Sequence, residues 1–324
     1  MKKIAILIVL MVLLSSCSKY KESNGSKDAN IDVFDSECSY TADVQDDALI
    51  LNAEAVDYKK AALIYESGAV EHVSINKGEI KDISNIDNLK GIYMYHNFHS
   101  ITDAYNFIKE YMDKDERVFV VLLDGFSLEQ YKYATENNYV NFLNSCYKNE
   151  ALSVYTPVTN AGYAAIITGQ TPDKNGVQDR SYRDMKVDSI FKYAVENGKN
   201  STLLEGNIKI LNTEIEPILH VDTNKDGDTD DEVFKSAMDA VDENYDFIFI
   251  HFHGIDDRGH SHGPHSQETM EYIEKIDNYI EQISLNWDGR IILTSDHGMH
   301  ETEEGGSHGN CAATDMIVPF FIIN

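Results

Sequence analysis

The chain has 324 residues, 42% of them hydrophobic, which is enough for one large α/β domain or two smaller ones around a substantial core. Its formal net charge is -28, so long-range repulsion excludes nucleic acid duplexes and anionic lipid surfaces as partners held by general electrostatics. An anionic substrate needs positive charge concentrated locally, and bound divalent cations would supply it.

The N-terminus reads MKKIAILIVLMVLLSSCSKY, with two lysines, an apolar run from Ile4 to Leu14 and small residues ending in Cys17. That run is too short for a stable membrane span and suits a secretory signal. The stretch LSSC resembles a bacterial lipobox, so residues 1–17 are expected to be a lipoprotein signal ending in a lipidated Cys17. The acyl chains would hold the protein at the cell membrane, outside the cytoplasm. Residues 18–47 are polar and acidic, as a flexible tether would be. Residues 48–110 hold short β-like runs such as AALIYESG and AVEHVSI between turn-prone pairs, which predicts a small accessory region.

From residue 111 to 324 the pattern changes to apolar strands alternating with helices. The run RVFVVLLDG, starting at Arg117, reads as a central parallel strand, and STLLEG, YDFIFIHFHG, RIILTSDHG and MIVPFFIIN repeat the type. Between them, Gly162 to Thr168 reads as a short helix ended by Gly169. Val187, Ile190, Phe191, Ala194 and Val195 mark a helical face closed by Gly198. Asp231 to Val241 reads as a third helix, and Met270, Ile273, Ile276, Ile280 and Ile283 mark a fourth. The expectation is an α/β fold with a doubly wound, mostly parallel sheet flanked by helices, whose site lies beyond the carboxyl ends of the strands.

Candidate chemistry gathers at those ends. Asp124 closes the first strand, Asp256 and His260 lie four residues apart after the third, and Asp296 and His297 adjoin after the fourth. His308 sits in GGSHGN, read as a flexible glycine loop, and Thr159 precedes the Gly162–Thr168 helix. Carboxylates and imidazoles at this spacing suit divalent metals. A threonine before a helix can also simply cap it. Cys38, Cys146 and Cys311 are odd in number after processing and widely spaced, so no disulfide framework follows.

The ordered set LLDGFS, TNAGYAAIITGQTPDKNGV, DDRGHSHGP, SDHGM and GGSHGN resembles the alkaline phosphatase superfamily, and more narrowly the type I phosphodiesterase and nucleotide pyrophosphatase branch, over Val118 to Ile323. The resemblance implies two zinc ions. Asp124, Thr159, Asp296 and His297 would surround one, and Asp256, His260 and His308 the other. It also implies attack by Thr159 on a small anionic phosphate ester or pyrophosphate, through a phosphothreonine intermediate. Asn160 and Arg180 are candidate phosphoryl contacts. One departure stands out: the diesterase branch usually carries an asparagine three positions after the nucleophile, and this chain has Gly162. A phosphomonoesterase of the same superfamily, and a non-catalytic metal-binding surface lipoprotein, are the competing expectations. Sulfatase chemistry is disfavoured because no cysteine is followed by that branch's Pro and Arg pattern.

The segment DTNKDGDTDDE places Asp222, Asn224, Asp226 and Asp228 at alternating positions of a calcium loop, with Gly227 between. Val233 stands where a bidentate carboxylate is expected, so a solvated turn is preferred over structural calcium.

Overall fold

The computed structural model describes residues 31–323 apart from 41, 46–47, 52–57, 82, 84 and 147. Cys17 and its signal lie outside the described residues.

Eight strands form the N-terminal region: β1 (Asp32–Phe34), β2 (Ser39–Tyr40), β3 (Ala42–Gln45), β4 (Ala48–Leu51), β5 (Lys60–Tyr65), β6 (Val70–Ser74), β7 (Glu79–Ile80) and β8 (Leu89–Tyr95). They make one sheet in the order β2-β1-β8-β5-β6 and a second in the order β3-β4-β7. Val33, Leu63, Ile92 and Met94 pack with Leu49 and Ile80 of the smaller sheet, while Phe34, Ile64 and Tyr93 join the core of the main domain. The first three strands correct the expectation of an unstructured tether up to residue 47. The cause is Asp35, whose carboxylate accepts the hydroxyls of Tyr40 and Tyr58 at 2.6 Å and the amides of Glu37 and Cys38 at 2.7 Å. A buried charge with four donors orders a polar segment that carries little hydrophobic signal.

The main domain contains α1 (Asp103–Asp113), β9 (Val118–Leu123), α2 (Leu128–Glu136), α3 (Phe142–Ser145), β10 (Lys148–Leu152), α4 (Thr159–Thr168), α5 (Pro172–Asn175), α6 (Ile190–Glu196), β11 (Ser201–Glu205) and β12 (Ile218–Leu219). It continues with α7 (Asp230–Val241), β13 (Phe247–Phe252), α8 (Gly254–His262), α9 (Gln267–Asn286), β14 (Arg290–Ser295), β15 (His300–Thr302), β16 (Gly305–Ser307), α10 (Ala313–Met316) and β17 (Ile317–Ile323). The seven-stranded sheet has the order β10-β17-β14-β9-β13-β11-β12, with the strands from β14 to β12 parallel and β17 antiparallel to both of its neighbours. This is the mostly parallel α/β sheet that the alternating apolar runs predict. Helix α1 straddles the boundary expected at residue 111, and its buried Ala104, Ile108 and Met112 share a core with Val118, Val120 and Ile166. The main domain therefore begins with α1.

Helix α4 is buried along its whole length, which fits a sequence that is apolar all round. It starts at Thr159, a turn earlier than the apolar pattern suggests, and Gly169 ends it with φ 64°. Its position explains Gly162. A Cβ built there would lie 2.3 Å from the backbone oxygen of Asp296. Only glycine lets the helix seat against the end of β14, so an asparagine has no room. Gly162→Asn is accordingly expected to destabilise the protein by about 1–3 kcal/mol, the usual cost of overpacking, as read by urea unfolding. A neutral result would contradict this packing.

Candidate metal centre

The parallel order β14-β9-β13 sets three carboxyl ends side by side, with Leu123 in register with Phe252 on one side and Ser295 on the other. Asp124 follows β9, Asp296 and His297 follow β14, and His251 and His253 stand at the end of β13. Helix α8 then begins at Gly254, where the Asp230 carboxylate accepts the amides of His253 and Gly254 at 2.9 Å. A carboxylate on those orphan donors fixes the start of the helix. Asp256 and His260 therefore lie one turn apart on the same helix.

His308 arrives differently from the flexible loop expected of its glycines. Gly305 and Gly306 belong to β16, paired antiparallel with β15, and this ribbon folds onto α8. A Cβ on Gly306 would meet Met299 Sδ at 2.4 Å and the Gly259 oxygen at 2.7 Å. Glycine here serves close approach rather than mobility.

Three imidazoles are oriented alike. His260 Nδ1 bonds the Gly306 oxygen, His297 Nδ1 the Gly298 oxygen and His308 Nδ1 the Pro157 oxygen, each at 2.9 Å. A carbonyl only accepts, so Nδ1 carries a proton and Nε2 is the ring nitrogen turned inward, free to serve as a ligand in the neutral ring. His297 Nε2 lies 3.2 Å from Asp124 Oδ1 and 3.7 Å from Asp296 Oδ2. His260 Nε2 is 3.3 Å from Asp256 Oδ2, and His308 Nε2 is 3.8 Å from Asp256 Oδ1. Most of these separations exceed a good N–H···O bond. They match the edges of a coordination tetrahedron, because bonds of about 2.0–2.2 Å place neighbouring ligand atoms roughly 3.3–3.5 Å apart.

Two of the groups whose ligand atoms lie within 4.8 Å of one another share His297: Asp124, Asp296 and His297, and Asp256, His297 and His308. His297 faces both, and its ring stacks on His308 with centroids 3.9 Å apart. Asp256 Oδ1, Asp296 Oδ2 and His297 Nε2 are buried with no hydrogen-bond partner among the described residues. Buried polar atoms are rarely left so. The donor sets, one or two carboxylates with one or two imidazoles, fit divalent cations.

The electrostatics reflect the same crowding. Burial opposes charge on Asp124, yet His251, His253 and His297 hold its carboxyl well below the usual range. Asp296 goes the other way, raised by burial and by the neighbouring Asp124 charge. His297 is raised to about 10 because Asp296 and Asp124 outweigh its burial, and His308 is lowered to about 4 by burial and by His297.

Thr159 is the first residue of α4, and its side chain makes no capping bond; Val158 is the N-cap. Instead Thr159 Oγ1 points at Asp124 Oδ1, 3.4 Å away. Arg180 is exposed at the rim, its guanidinium 2.7 Å from His308 Nε2. Asn160 departs from expectation: its Nδ2 donates to the carbonyls of Tyr182 at 2.8 Å and Ile210 at 3.4 Å. Its amide ties two loops to α4 and is not offered to a ligand. His251 and His253 carried no assigned role in the sequence, though their spacing along a strand places both on Asp124's side.

The possible calcium loop is a self-bonded turn. Asp222 accepts the amides of Lys225 and Gly227, Asn224 bonds Asp226 and Asp231, and Gly227 has φ 98°. Asp226, Asp228 and Asp231 offer oxygens within 4.8 Å of one another, but Asp228 already meets Arg258 at 3.0 Å and Lys275 at 3.6 Å.

Residues 118–221 and 211–314 match the family described as Type I phosphodiesterase / nucleotide pyrophosphatase. GPI ethanolamine phosphate transferase 1 of Mus musculus is 35% identical over 94 residues, covering 26% of this chain and 10% of that protein. Ectonucleotide pyrophosphatase/phosphodiesterase family member 1 of Rattus norvegicus is 23% identical over 212 residues, covering 55% of this chain and 23% of that protein. The chain thus spans only a small part of the curated relatives it matches. Among solved structures, human ectonucleotide pyrophosphatase / phosphodiesterase 5 superposes with a TM-score of 0.49 at 12% identity, over 64% of this chain and 88% of that one. Phosphonoacetate hydrolase from Sinorhizobium meliloti 1021, in complex with phosphonoacetate, superposes with a TM-score of 0.45 at 18% identity, over 58% of this chain and 59% of that one.

Beneath the centre, Glu205 ends β11 with only 1% of its surface exposed. Burial raises its carboxyl from 4.5 to about 7, against the smaller pull of the Tyr163 hydroxyl. A carboxyl raised on folding stabilises the fold below its unfolded pKa and loses that contribution as pH rises through the folded one. Between about pH 4.5 and 7, ionisation of Glu205 should therefore cost about 3 kcal/mol. Glu205→Gln is expected to flatten the fall in stability over that window, as measured by urea midpoints at pH 5 and pH 8.

Proposed function

Because the chain belongs to the type I phosphodiesterase / nucleotide pyrophosphatase family, we propose that it is a metal-dependent hydrolase of phosphodiester or pyrophosphate bonds in which Thr159 attacks phosphorus. The observation that carries this is the set of three imidazoles held by backbone carbonyls, with Nε2 turned toward buried carboxylates whose Asp256 Oδ1 and Asp296 Oδ2 have no hydrogen-bond partner among the described residues. Asp124, Thr159, Asp296 and His297 would hold one divalent ion, and Asp256, His260 and His308 the other; the nitrogen and oxygen donors favour zinc. When bound, two such ions lower the pKa of a hydroxyl and offset the charge of the transferring phosphoryl group.

Thr159 stands at the N-terminus of α4, where first-turn amides can receive a phosphoryl oxygen. Its Oγ1 forms the bond to phosphorus as the leaving-group oxygen departs on the far side. Asp124 Oδ1, within 3.4 Å, fixes the direction of the hydroxyl before attack. Water then attacks the phosphothreonine, the bond to Oγ1 breaks, and the hydroxyl is restored. Arg180 reaches the rim of the site and is assigned to the phosphoryl oxygens. Bound cations would let a protein of net charge -28 accept an anion, because they would concentrate positive charge at one point.

The 35% identity to GPI ethanolamine phosphate transferase 1 favours one variant of this chemistry, in which an alcohol replaces water in the second step. Both routes share the covalent intermediate, and product analysis with an added alcohol separates them. Cys17 is proposed as the lipid attachment point, so Cys17→Ser should move the protein from the membrane fraction to the soluble one in a bacterial host; unchanged fractionation would rule the anchor out.

Thr159→Ala is expected to lower hydrolysis of an activated aryl phosphodiester by at least ~10³-fold, with bound metal retained. Full activity in that variant would overturn the assignment. Chelation should abolish the wild-type rate and zinc should restore it.

A further inference from the structure

One turn of the N-terminal sheets reaches toward the metal centre. Gly68, between β5 and β6 with φ 82°, seats that turn on the main domain, since a Cβ built there would lie 2.7 Å from Pro172 Cβ and 2.8 Å from the Tyr155 oxygen. Tyr155 leads to Pro157, whose oxygen holds His308. Beside this contact opens a groove of about 530 Å³, walled by Glu66, Ser67 and Glu71 of the hairpin, by Asn85 and Asn88 of the next turn, and by Gln178. The Glu66 amide donates to the Asn88 oxygen at 2.9 Å, so the two turns make one wall. Gln178, on the main domain, stands two residues before Arg180, no more than about 7 Å between Cα atoms. The Arg180 guanidinium is in turn 2.7 Å from His308 Nε2. Residues 178–180 therefore join the groove to the rim of the metal centre.

We propose that this groove is the subsite for a sugar carried on the leaving group of the phosphodiester or pyrophosphate that Thr159 attacks. The proposal rests on that reading of Thr159. In-line attack sends the leaving oxygen to the side of phosphorus away from Oγ1. Thr159 faces Asp124 whereas His260 and His308 converge on Asp256, so the leaving group departs on the His308 side, where Arg180 leads to the groove. The lining selects the chemistry. Two carboxylates exclude a second anion, yet both are already engaged: Glu66 Oε1 meets Lys90 Nζ at 3.3 Å, and Glu71 Oε2 accepts the Tyr65 hydroxyl at 2.9 Å. A cation would use acceptors alone, and here the amides add donors. Asn88 Nδ2 donates to Asn85 Oδ1 at 2.9 Å, which leaves Asn85 Nδ2 and Asn88 Oδ1 for a ligand, and Gln178 adds a donor and an acceptor. Donors mixed with acceptors match vicinal hydroxyls, each of which gives and takes a hydrogen bond. The hairpin and turn residues of the groove precede the family match, so this selectivity belongs to the N-terminal region.

The test compares UDP-glucose with the β-methyl ester of UDP as substrates of the zinc-loaded full chain. The bond broken is the same, and glucose 1-phosphate or methyl phosphate leaves. Wild type is expected to show a kcat/KM at least about 10-fold higher for UDP-glucose, the effect of a few neutral hydrogen bonds. Asn88→Ala/Gln178→Ala should lose that preference and keep the wild-type rate on the methyl ester, and Gln178→Ala alone repeats the measurement where the double variant melts early. Equal kcat/KM for the two substrates in wild type, or a double variant that loses both alike, overturns the subsite; hydrolysis of bis(4-nitrophenyl) phosphate then leaves the Thr159 reading standing. No turnover of any of the three overturns that reading and the subsite with it.

Discussion

Everything in this molecule's working end depends on one imbalance of charge. Asp124, Asp256 and Asp296 are buried at the ends of adjacent parallel strands and the helix that follows, and three imidazoles held at Nδ1 by backbone carbonyls turn Nε2 toward them. Burial and the Asp124 charge together push the Asp296 carboxyl up. Water cannot reach in to screen them, since Asp296 and His297 are fully buried. A bound cation would relieve this crowding, and the inward Nε2 atoms stand 3.2–3.8 Å from the carboxylate oxygens.

The fold supports that imbalance through packing at several points. The register of β9 with β13 and β14 levels the three strand ends. Gly162 lets α4 press against Asp296, bringing Thr159 to Asp124, and Gly306 lets the β15–β16 ribbon press against α8, bringing His308 to Asp256. Asp230 holds the first amides of α8 and so aims Asp256 and His260. These contacts remove conformational freedom that a scattered ligand set would otherwise have to lose on binding a cation.

How much of this was legible beforehand depended on the kind of signal. Continuous apolar runs identify β9, β13 and β14, because a strand buried on both faces has no other composition. The ligands at their ends follow from fold logic together with the ordered motifs. Asp32 to Gln45 escaped that logic, since its order comes from tyrosine hydroxyls and amides gathered on Asp35 rather than from apolar periodicity. Gly305 and Gly306 read as a mobile loop because glycine marks both freedom and close approach, and only the neighbouring backbone tells them apart. Asn160 looked like an anion contact by position, yet its amide is spent on the carbonyls of Tyr182 and Ile210, 22 and 50 residues along the chain. His251 sits inside a run that reads simply as strand, so its place beside Asp124 could not be seen until β9 and β13 were paired.

The central claim is that the native arrangement of these ligands is completed by divalent metal, and thermal unfolding of the chelator-stripped full chain against zinc concentration tests it most directly. Ligands that bind only the folded state stabilise it in proportion to the logarithm of their concentration, by about 2.7 kcal/mol at a hundredfold excess over Kd. The melting temperature is expected to climb steadily with zinc, and the transition to sharpen as the site fills. A melting temperature indifferent to zinc, magnesium and manganese alike would contradict it.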